Sequence, residues 1–581
     1  MKNLKSVLML ICLLTPWMKS FADHDEFRFD TKYSDNGSGV LYSNEIAEQA
    51  VTDASGNLYV GGAYNKDGSA SSIRVVKYPA NNGSSTTVTY NYSNSHNEQV
   101  IKMFWGSNSQ LYVFCKAVSP VGAATGLVVY RFNSSLTLLN IVPDFFVGFA
   151  PEKVCTDGSN NFYVAGTTTL TGSVSLRVIK LNAALVQQGA TYNYYYTNST
   201  DGVTEEVKDI IYSSFAFNSG IYIAGRAYNA ASSTSAAILI KLNTSLAFQW
   251  KKAPALNAYK NVYNSVAAYA NGIYVTGAKD ANNTWCMEEY DRSTGTLLAQ
   301  SNSSSSNYES EGIKITVAGA NGIYAAGFRK STALNKYKIV ILKWSTNLSG
   351  ITVNKYTETL TTASKLSDAI ATPYNTDPSK FYTYLTGSQY VSGTPTGSYN
   401  MFFRAVNDDG DAYIKDSIIN NSACGNKIVV RHDGSHGTGD DYTVTVIGYQ
   451  DKTSSNIQPH DYKFFTRSYY WEHIIDRMIN DSDNETVAEN SIDRIESGIE
   501  TESEIAEISA NIFPNPTSDF LNVESSEELR SLTLFDLQGK TVMQNQVEGE
   551  VFTHQVNISN LPKGIYFLRV NDGTTQKVIK N

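Results

Sequence analysis

Eight polar side chains recur at the starts of eight apolar segments, and together they could hold a cation or an amine-bearing ligand. Six carboxylates and two amides around one axis would offer the oxygen ligands that calcium prefers. The alternative is that each side chain bonds backbone N–H groups of its own loop or of the next repeat, and so locks the repeats together. Each stands two residues before an apolar residue, and the eight are Glu48, Glu98, Glu152, Glu205, Asn264, Glu311, Asp368 and Asn426.

Three other acidic stretches offer weaker chemistry. His432 and His436 lie with three aspartates in the glycine-rich loop 432–441, which is more typical of a solvated hairpin tip than of a metal site. Residues 408–411 fall where other repeats have a turn, and residues 481–485 lack the glycine and the final glutamate of a calcium loop. The sequence has no G-x-S-x-G elbow, no H-E-x-x-H and no phosphate loop, so no catalytic motif is indicated.

The elements that position these side chains follow from an internal repeat. The stretch NGIYVTG at residues 271–277 returns as NGIYAAG at 321–327, and related stretches such as LYVGG, FYVAG and IYIAG occur throughout the chain. A period of this size, sustained over eight copies, indicates a repeat architecture. The copies end at Gly62, Cys115, Gly166, Gly225, Gly277, Gly327, Gly387 and Gly448, and all but the last have tyrosine three residues earlier.

Each copy is one of four short segments rich in β-branched and aromatic residues and bounded by Asn, Gly and Ser. Four antiparallel strands in about 50 residues are typical of a propeller blade. We therefore predict an all-β fold with an eight-bladed β-propeller. Residues 27–34 resemble the fourth strands of other repeats, and we expect them to complete the last blade and close the ring. A seven-bladed ring with one degenerate unit is the alternative.

The repeat resembles the secreted bacterial β-propeller family whose units carry a D-x-x-G-N-x-Y-V-x-G signature. Residues 53–62 match it well, and residues 157–166 match it with one shift around the turn. The resemblance implies a fold and says little about activity.

The last seventy residues contain three blocks in order, NIFPNPTSDFLNV, LTLFDLQGKTV and ISNLPKGIYFLRV. These blocks resemble the type A C-terminal sorting domain of the type IX secretion system of Bacteroidetes. This resemblance implies a small Ig-like β-sandwich that the outer-membrane translocon recognises, after which the cargo is released or attached to the cell surface. The matching residues, in order, are Pro514, Asn515, Pro516, Asp519, Leu521, Val523, Phe535, Asp536, Gly539, Lys540, Leu561, Gly564, Tyr566, Lys577 and Lys580.

The rest of the chain divides by composition. Residues 1–22 have the lysines, short apolar run and small residues of a secretory signal peptide, which implies the Sec machinery and signal peptidase as partners. The propeller is predicted over 23–472, an acidic linker over 473–510 and the sorting domain over 511–581. The net charge is −9 and falls almost entirely in the linker, so no basic stripe for nucleic acid is present. No other segment is long and apolar enough to span a membrane.

Four cysteines outside the signal segment are expected to be buried thiols, with a Cys115–Cys155 bridge as the alternative.

These observations favour a secreted or outer-surface protein that binds a glycan, a protein or a divalent ion, with calcium as the candidate cofactor. Binding is expected at the loops between strands two and three and between blades, because such loops vary on a rigid scaffold. The alternatives are a polysaccharide-active hydrolase or lyase, and a purely structural surface protein.

Overall fold

The computed structural model describes most of the chain between residues 24 and 580. The described ranges are 24–33, 43–66, 71–80, 84–92, 96–119, 125–144, 148–170, 173–196, 202–215, 219–258, 260–279, 284–303, 308–317, 322–331, 337–344, 353–360, 364–374, 377–390, 399–406, 412–418, 423–436, 439–451, 462–474, 510–513, 515, 517–525, 529, 531–536, 541–547, 553–570 and 575–580. The predicted signal peptide and nearly all of the predicted linker lie outside these ranges. The chain divides into two compact units, Met1–Gly498 and Ile499–Asn581. Within the described ranges, no helix has the length and hydropathy of a membrane span.

The first unit is built from eight four-stranded antiparallel blades. After β1 (His24–Tyr33), blade 1 contains β2 (Ser43–Thr52), β3 (Leu58–Lys66), β4 (Ser72–Tyr78) and β5 (Thr86–Tyr90); blade 2 contains β6 (Asn97–Trp105), β7 (Leu111–Val118), β8 (Thr125–Phe132) and β9 (Leu138–Asp144); blade 3 contains β10 (Phe149–Thr156), β11 (Phe162–Leu170), β12 (Ser173–Leu181) and β13 (Tyr192–Tyr194); and blade 4 contains β14 (Val203–Ser213), β15 (Gly220–Asn229), β16 (Thr234–Leu242) and β17 (Phe248–Lys252). Blade 5 contains β18 (Val262–Tyr269), β19 (Gly272–Lys279), β20 (Thr284–Asp291) and β21 (Leu297–Ser303); blade 6 contains β22 (Tyr308–Val317), β23 (Ile323–Ser331), β24 (Tyr337–Trp344) and β25 (Val353–Leu360); blade 7 contains β26 (Ser364–Tyr374), β27 (Asp377–Tyr390), β28 (Tyr399–Val406) and β29 (Ala412–Ile418); and blade 8 contains β30 (Ala423–His436), β31 (Gly439–Asp451) and β32 (Tyr462–Ile474).

The N-terminal strand closes the ring. β1 pairs antiparallel with β32, from His24 opposite Ile474 to Tyr33 opposite Phe465, and so supplies the fourth strand of blade 8. The inner strand of each blade contacts the inner strand of the next, and β30 of blade 8 contacts β2 of blade 1. The predicted eight-bladed ring with N-terminal closure is therefore confirmed, and the seven-bladed alternative is wrong.

Each junction between neighbouring blades has its own apolar core. At the junction of blades 4 and 5, Tyr222 and Leu239 pack with Tyr263, Val275 and Cys286. Corresponding clusters fill the other seven junctions. Because both faces of a blade are buried in this way, its strands read as apolar runs instead of alternating polar and apolar residues.

The recurring tyrosine locks one blade to the next. In blades 1 and 2 its hydroxyl donates to a backbone carbonyl in the turn between strands three and four of the following blade: Tyr59 to Ser134 at 3.0 Å, and Tyr112 to Ala183 at 3.0 Å. Tyr274 of blade 5 donates to Glu289 of its own blade at 2.9 Å. Tyr222 is also an exception, because Lys241 and Trp250 already donate to the corresponding carbonyl. Its buried hydroxyl makes no hydrogen bond with any described residue.

The recurring glycine has a steric cause. It pairs with the inner strand where that strand has a β-bulge, and a Cβ atom on Gly277 would overlap the carbonyl oxygen of Val262. Gly62, Gly166, Gly225 and Gly327 meet the same obstacle. The glycine therefore permits the close backbone approach that the bulge creates.

None of the four described cysteines forms a disulfide. Cys115, Cys155 and Cys286 are buried, and Cys424 is partly buried. This agrees with the expectation of buried thiols and not with a Cys115–Cys155 bridge.

The second unit is a small β-sandwich. Its strands are β33 (Ala510–Phe513), β34 (Phe520–Ser525), β35 (Ser531–Phe535), β36 (Thr541–Gln546), β37 (Thr553–Asn557), β38 (Gly564–Val570) and β39 (Thr575–Lys580). The strands form a three-stranded sheet, β33-β34-β37, and a four-stranded sheet, β36-β35-β38-β39. Leu521 and Val523 from the first sheet pack against Leu532, Leu534 and Leu568 from the second.

Candidate functional site

Every inner strand carries a β-bulge opposite the end of the repeated segment, and these bulges set which side chains meet at the propeller axis. One residue of the inner strand is left unpaired at this point, so the alternation of faces shifts by one. The unpaired residues are Glu48, Ile101, Glu152, Lys208, Asn264, Ile313, Ser367 and Asn426.

The eight polar residues predicted from the sequence do not share one position relative to this bulge. Glu48, Glu152, Asn264 and Asn426 are bulge residues, whereas Asp368 follows its bulge. Glu311 lies two residues before its bulge, and Glu98 and Glu205 lie three before theirs. The structure therefore spreads them over several levels of the inner strands, and they do not form a single ring.

Several of these side chains bond the backbone of the next blade. Glu48 Oε2 accepts the N–H of Val100 at 2.6 Å, and Asp368 Oδ2 accepts the N–H of Ile428 at 3.0 Å. Asn426 Nδ2 donates to the carbonyl of Ala47 at 2.6 Å. These bonds join blades 1 and 2, blades 7 and 8, and blades 8 and 1, as the interlocking alternative predicts.

Blades 4, 5 and 6 are joined in the same manner. Asp209 Oδ2, which was not predicted, accepts the Ser265 hydroxyl at 2.7 Å. Asn264 Nδ2 donates to the Gly312 carbonyl at 2.8 Å and to Glu311 Oε1 at 2.7 Å. In the part of the chain that the structure describes, five of the eight junctions thus carry a polar bond from an inner-strand side chain near the axis.

Glu98 and Glu205 are buried between blades instead of lining the channel. Glu98 accepts the Tyr130 hydroxyl and the backbone N–H of Tyr92, and Glu205 accepts the backbone N–H of Tyr196 at 2.6 Å. Burial raises the pKa of both carboxyls to about 7, and these hydrogen bonds offset only part of the effect.

The position after the bulge is occupied mainly by charged residues that face the axis. Lys314 of blade 6 approaches Asp209 of blade 4, with Nζ and Oδ2 3.9 Å apart, although these blades are not neighbours. Side chains of non-adjacent blades can meet only near the axis of a ring. The residues at this position are Gln49, Lys102, Lys153, Asp209, Ser265, Lys314, Asp368 and Lys427.

Four lysines at this position, Lys102, Lys153, Lys314 and Lys427, form what we call the axial lysine ring. Lys427 Nζ lies 3.1 Å from Asp368 Oδ2, and Lys314 Nζ lies 3.9 Å from Asp209 Oδ2. Among the described residues, neither Lys102 nor Lys153 forms an ion pair or a side-chain hydrogen bond.

The charges of the ring act on one another across the axis. Burial lowers the pKa of Lys153 and Lys427 below the usual lysine value; Asp209 and Asp368, respectively, oppose this change, and neighbouring lysines reinforce it. Lys153 is nevertheless solvent-exposed, which is consistent with a side chain in a water-filled channel walled by protein. Burial also raises the pKa of Glu48 to about 8 and raises that of Glu152. The residues at and directly after the bulges therefore carry more positive charge than the predicted ring of carboxylates implied.

The sequence interpretation missed these lysines because it looked for one recurring acid. A signal was present, because a lysine directly before an apolar residue recurs in the inner strands, among them those of blades 2, 3, 6 and 8. Residues 102, 153, 314 and 427 all fit this description.

The remaining predicted sites receive little support or lie outside the described residues. Residues 423–436 and 439–451 pair as one long hairpin, so His432 and His436 lie near its tip. Residues 408–411 and 481–485 fall outside the described ranges, as do the central parts of the loops at 64–72 and 390–398. In the described residues, no group of three His, Cys, Asp or Glu side chains is placed to hold a metal ion.

In the second unit, Asn515 fastens the C-terminal strand. Its Nδ2 donates to the carbonyl of Lys577 at 2.6 Å, and its Oδ1 accepts the N–H of Ile579 at 2.9 Å. The Tyr566 hydroxyl donates to the carbonyl of Pro562 in the turn that precedes its own strand at 2.7 Å. Gly564 begins β38, Asp536 follows β35, and Lys580 is buried at the end of β39, whereas Pro514, Pro516 and Gly539 lie outside the described residues.

Comparison with known proteins identifies the second unit only. Residues 511–581 match the family described as the secretion system C-terminal sorting domain. No curated protein matches the chain. The architecture of the first unit is established by its own strand pairing.

Several solved structures have a distant likeness to the chain. A protein from Lactobacillus plantarum is 11% identical, with a TM-score of 0.36 over 62% of this chain and 95% of that one. A putative 6-phosphogluconolactonase from Bacteroides fragilis is 12% identical, with a TM-score of 0.36 over 66% and 96%. Prolyl oligopeptidase B from Galerina marginata is 11% identical, with a TM-score of 0.39 over 70% and 55%. Likenesses this weak carry no argument about activity.

Proposed function

Since residues 511–581 are a secretion system C-terminal sorting domain, we propose that the propeller is a binding module that works outside the cell. The type IX pathway exports the protein, either into the medium or onto the outer cell surface. A rigid ring delivered in this way is suited to holding a ligand that the cell meets outside.

The observation that supports binding is that the acidic and the basic residues of the inner strands have different roles. Glu48, Asp209 and Asp368 accept backbone N–H groups of the next blade, so these carboxylates serve the scaffold. Among the described residues, Lys102 and Lys153 form no ion pair or side-chain hydrogen bond, and Lys102 Nζ lies 5.4 Å from the centre of the Phe104 ring, so both ammonium groups can still donate to a ligand. Carboxylates that join neighbouring blades, together with lysines that can donate to a ligand, favour ligand binding over catalysis.

A glycoside hydrolase would need a different arrangement. Two carboxyl groups must flank the scissile bond, roughly 5 to 10 Å apart, and both must reach the substrate. The Asp368 carboxylate instead pairs with Lys427 and accepts the backbone N–H of Ile428. Glu98 and Glu205 are buried between blades. No observation therefore favours the hydrolase alternative.

Calcium, the occupant expected from the sequence, stays a prediction. The axial lysines repel a divalent cation, and a carboxylate that accepts N–H groups has fewer lone pairs left for a metal. A calcium site at the axis would therefore need carboxylates to leave the bonds described above.

The test uses the exported, full-length mature protein on a panel of neutral glycans, acidic glycans, extracellular proteins and calcium. Binding is measured by biolayer interferometry, and calcium by thermal unfolding with and without chelator. The proposal expects saturable binding to at least one member with no change in the ligand after incubation. Turnover of a panel glycan, or the absence of binding to every member, would refute it.

A further inference from the structure

The axial lysine ring is not required by the fold. The position after the bulge is occupied by Gln49 in blade 1 and by Ser265 in blade 5, and both blades keep the same bulge and the same strand pairing. Uncharged residues are therefore tolerated at this position. The four lysines need an explanation other than blade geometry.

The lysines also carry a cost. Like charges held together in an enclosed channel repel one another and lose part of their hydration. Asp209 and Asp368 compensate two of the four, which leaves a net charge of +2 at this level. Lys102 and Lys153, on the neighbouring blades 2 and 3, are the two that form no ion pair with a described residue, although Asp209 favours the charged form of Lys153 from a longer distance. Features that cost stability without serving the fold are expected at functional sites.

Nearby acids do not cancel this charge. Glu48 and Glu152 lie one residue before the ring, at the bulges of blades 1 and 3. Glu48 already accepts the N–H of Val100, and burial raises the pKa of Glu48 to about 8 and raises that of Glu152, so burial disfavours the charged form of both carboxyls. An anion entering this level from the channel therefore meets an excess of positive charge.

We propose that Lys102 and Lys153 of the axial lysine ring bind a carboxylate group of an acidic ligand, either a small organic acid or the uronate unit of a glycan. A carboxylate carries one charge on two oxygens, and two ammonium groups from neighbouring blades can each donate to one of them. This proposal deepens the proposed function, because it names the ligand class of the binding module and the residues that recognise it.

The test is isothermal titration calorimetry of the full-length mature protein at low ionic strength. The ligands are galacturonate, trigalacturonate and succinate, with galactose as the uncharged match for galacturonate. Lys102→Gln and Lys153→Gln are the test variants, because glutamine already occupies this position in blade 1. Lys252→Gln is the control, since Lys252 ends the outer strand of blade 4 and its loss changes the net charge equally.

We expect at least one carboxylate ligand to bind, galactose not to bind, and each test variant to weaken binding at least tenfold while the control does not. Tighter binding of trigalacturonate than of succinate would assign the site to a glycan, and the reverse would assign it to a small acid. Binding should weaken as sodium chloride is raised, which gives a second readout independent of the variants.

Two results would overturn the proposal. The first is carboxylate binding that both test variants retain in full. The second is that the wild-type protein binds none of the three acids. If the protein then binds a neutral glycan or a protein from the panel, the binding function stands and only the role of the lysines fails.

Discussion

Two adjacent glutamates on β14 should respond to pH in opposite directions. Glu205 is buried, accepts the N–H of Tyr196, and has an Oε2 atom without a hydrogen bond to any described residue. Glu206 is partly exposed and accepts two bonds from Arg226, at 2.9 and 3.0 Å, and one contact from Lys208 at 2.8 Å. Glu205→Gln and Glu206→Gln keep the shape of each side chain and remove its charge.

The effect of Glu205 on the free energy of unfolding follows from its pKa, which burial raises from 4.5 to about 7. Below pH 4.5 the carboxyl is protonated in both the folded and the unfolded chain. As the pH rises from about 4.5 to 7, only the unfolded chain releases its proton, so the free energy of unfolding falls by about 3 kcal/mol and then levels off. Glutamine does not titrate, so Glu205→Gln should remove this loss.

Glu206 behaves in the opposite way. Burial alone would raise its pKa, but the bonds from Arg226 and Lys208 outweigh burial and hold it at about 2. Its contribution is present above pH 4.5 and is lost as the pH falls toward 2. Because this side chain is about a quarter exposed, solvent screens the interaction. We expect Glu206→Gln to cost roughly 1–2 kcal/mol at pH 7 and little near pH 2.

The assay is thermal unfolding of the purified wild-type protein and both variants at pH 4.5, 6 and 8. For a unit of this size, 1 kcal/mol corresponds to roughly 1 °C in melting temperature. Glu205→Gln should melt about 3 °C above the wild-type protein at pH 8 and level with it at pH 4.5, while Glu206→Gln melts lower at pH 8. The reasoning is wrong if Glu205→Gln melts at or below the wild-type temperature at pH 8.

Three further predictions concern the scaffold and the sorting domain. Tyr112→Phe removes the bond to the next blade and should lower stability by about 1 kcal/mol in denaturant titrations, whereas Tyr222→Phe should cost nothing; equal losses would contradict the lock. Gly277→Ala places a methyl group against the carbonyl of Val262 and should cost roughly 1–3 kcal/mol, which an unchanged denaturation midpoint would disprove. Asn515→Ala should loosen β39 and reduce the exported fraction on immunoblots of medium and surface fractions, and export at the wild-type level would count against this role.

The sequence carried enough information for the architecture because the repeated segment marks the second strand of every blade. The tyrosine and the glycine in it each meet a requirement of the ring: one bonds the next blade, and the other faces a backbone bulge. Such local requirements leave a recurring pattern, and its period predicted eight blades. The closing strand was also predictable, because residues 27–34 resemble other outer strands and blade 8 lacked one of its own.

The axial position was not predictable by the same means. A bulge adds one unpaired residue and reverses which side chains face the channel after it. In a strand buried on both faces, no alternation of polar and apolar residues reveals where the bulge falls. The interpretation therefore grouped Glu98 with Glu48, although one lies before the bulge and the other on it. The same uncertainty hid Lys102 and Lys153.

The pairing of β1 with β32 determines when the ring can form and how it fails. Tyr33 meets Phe465, more than four hundred positions later in the chain, so this pairing has the largest loop to close and is expected to form late. Once it has formed, the last blade has all four of its strands, like the other seven. Outside the cell, where proteases act on transiently opened chains, survival depends on the rate of opening. The lifetime of the exported protein should therefore depend on the pairing of β1 with β32 more than on the average strength of the eight junctions.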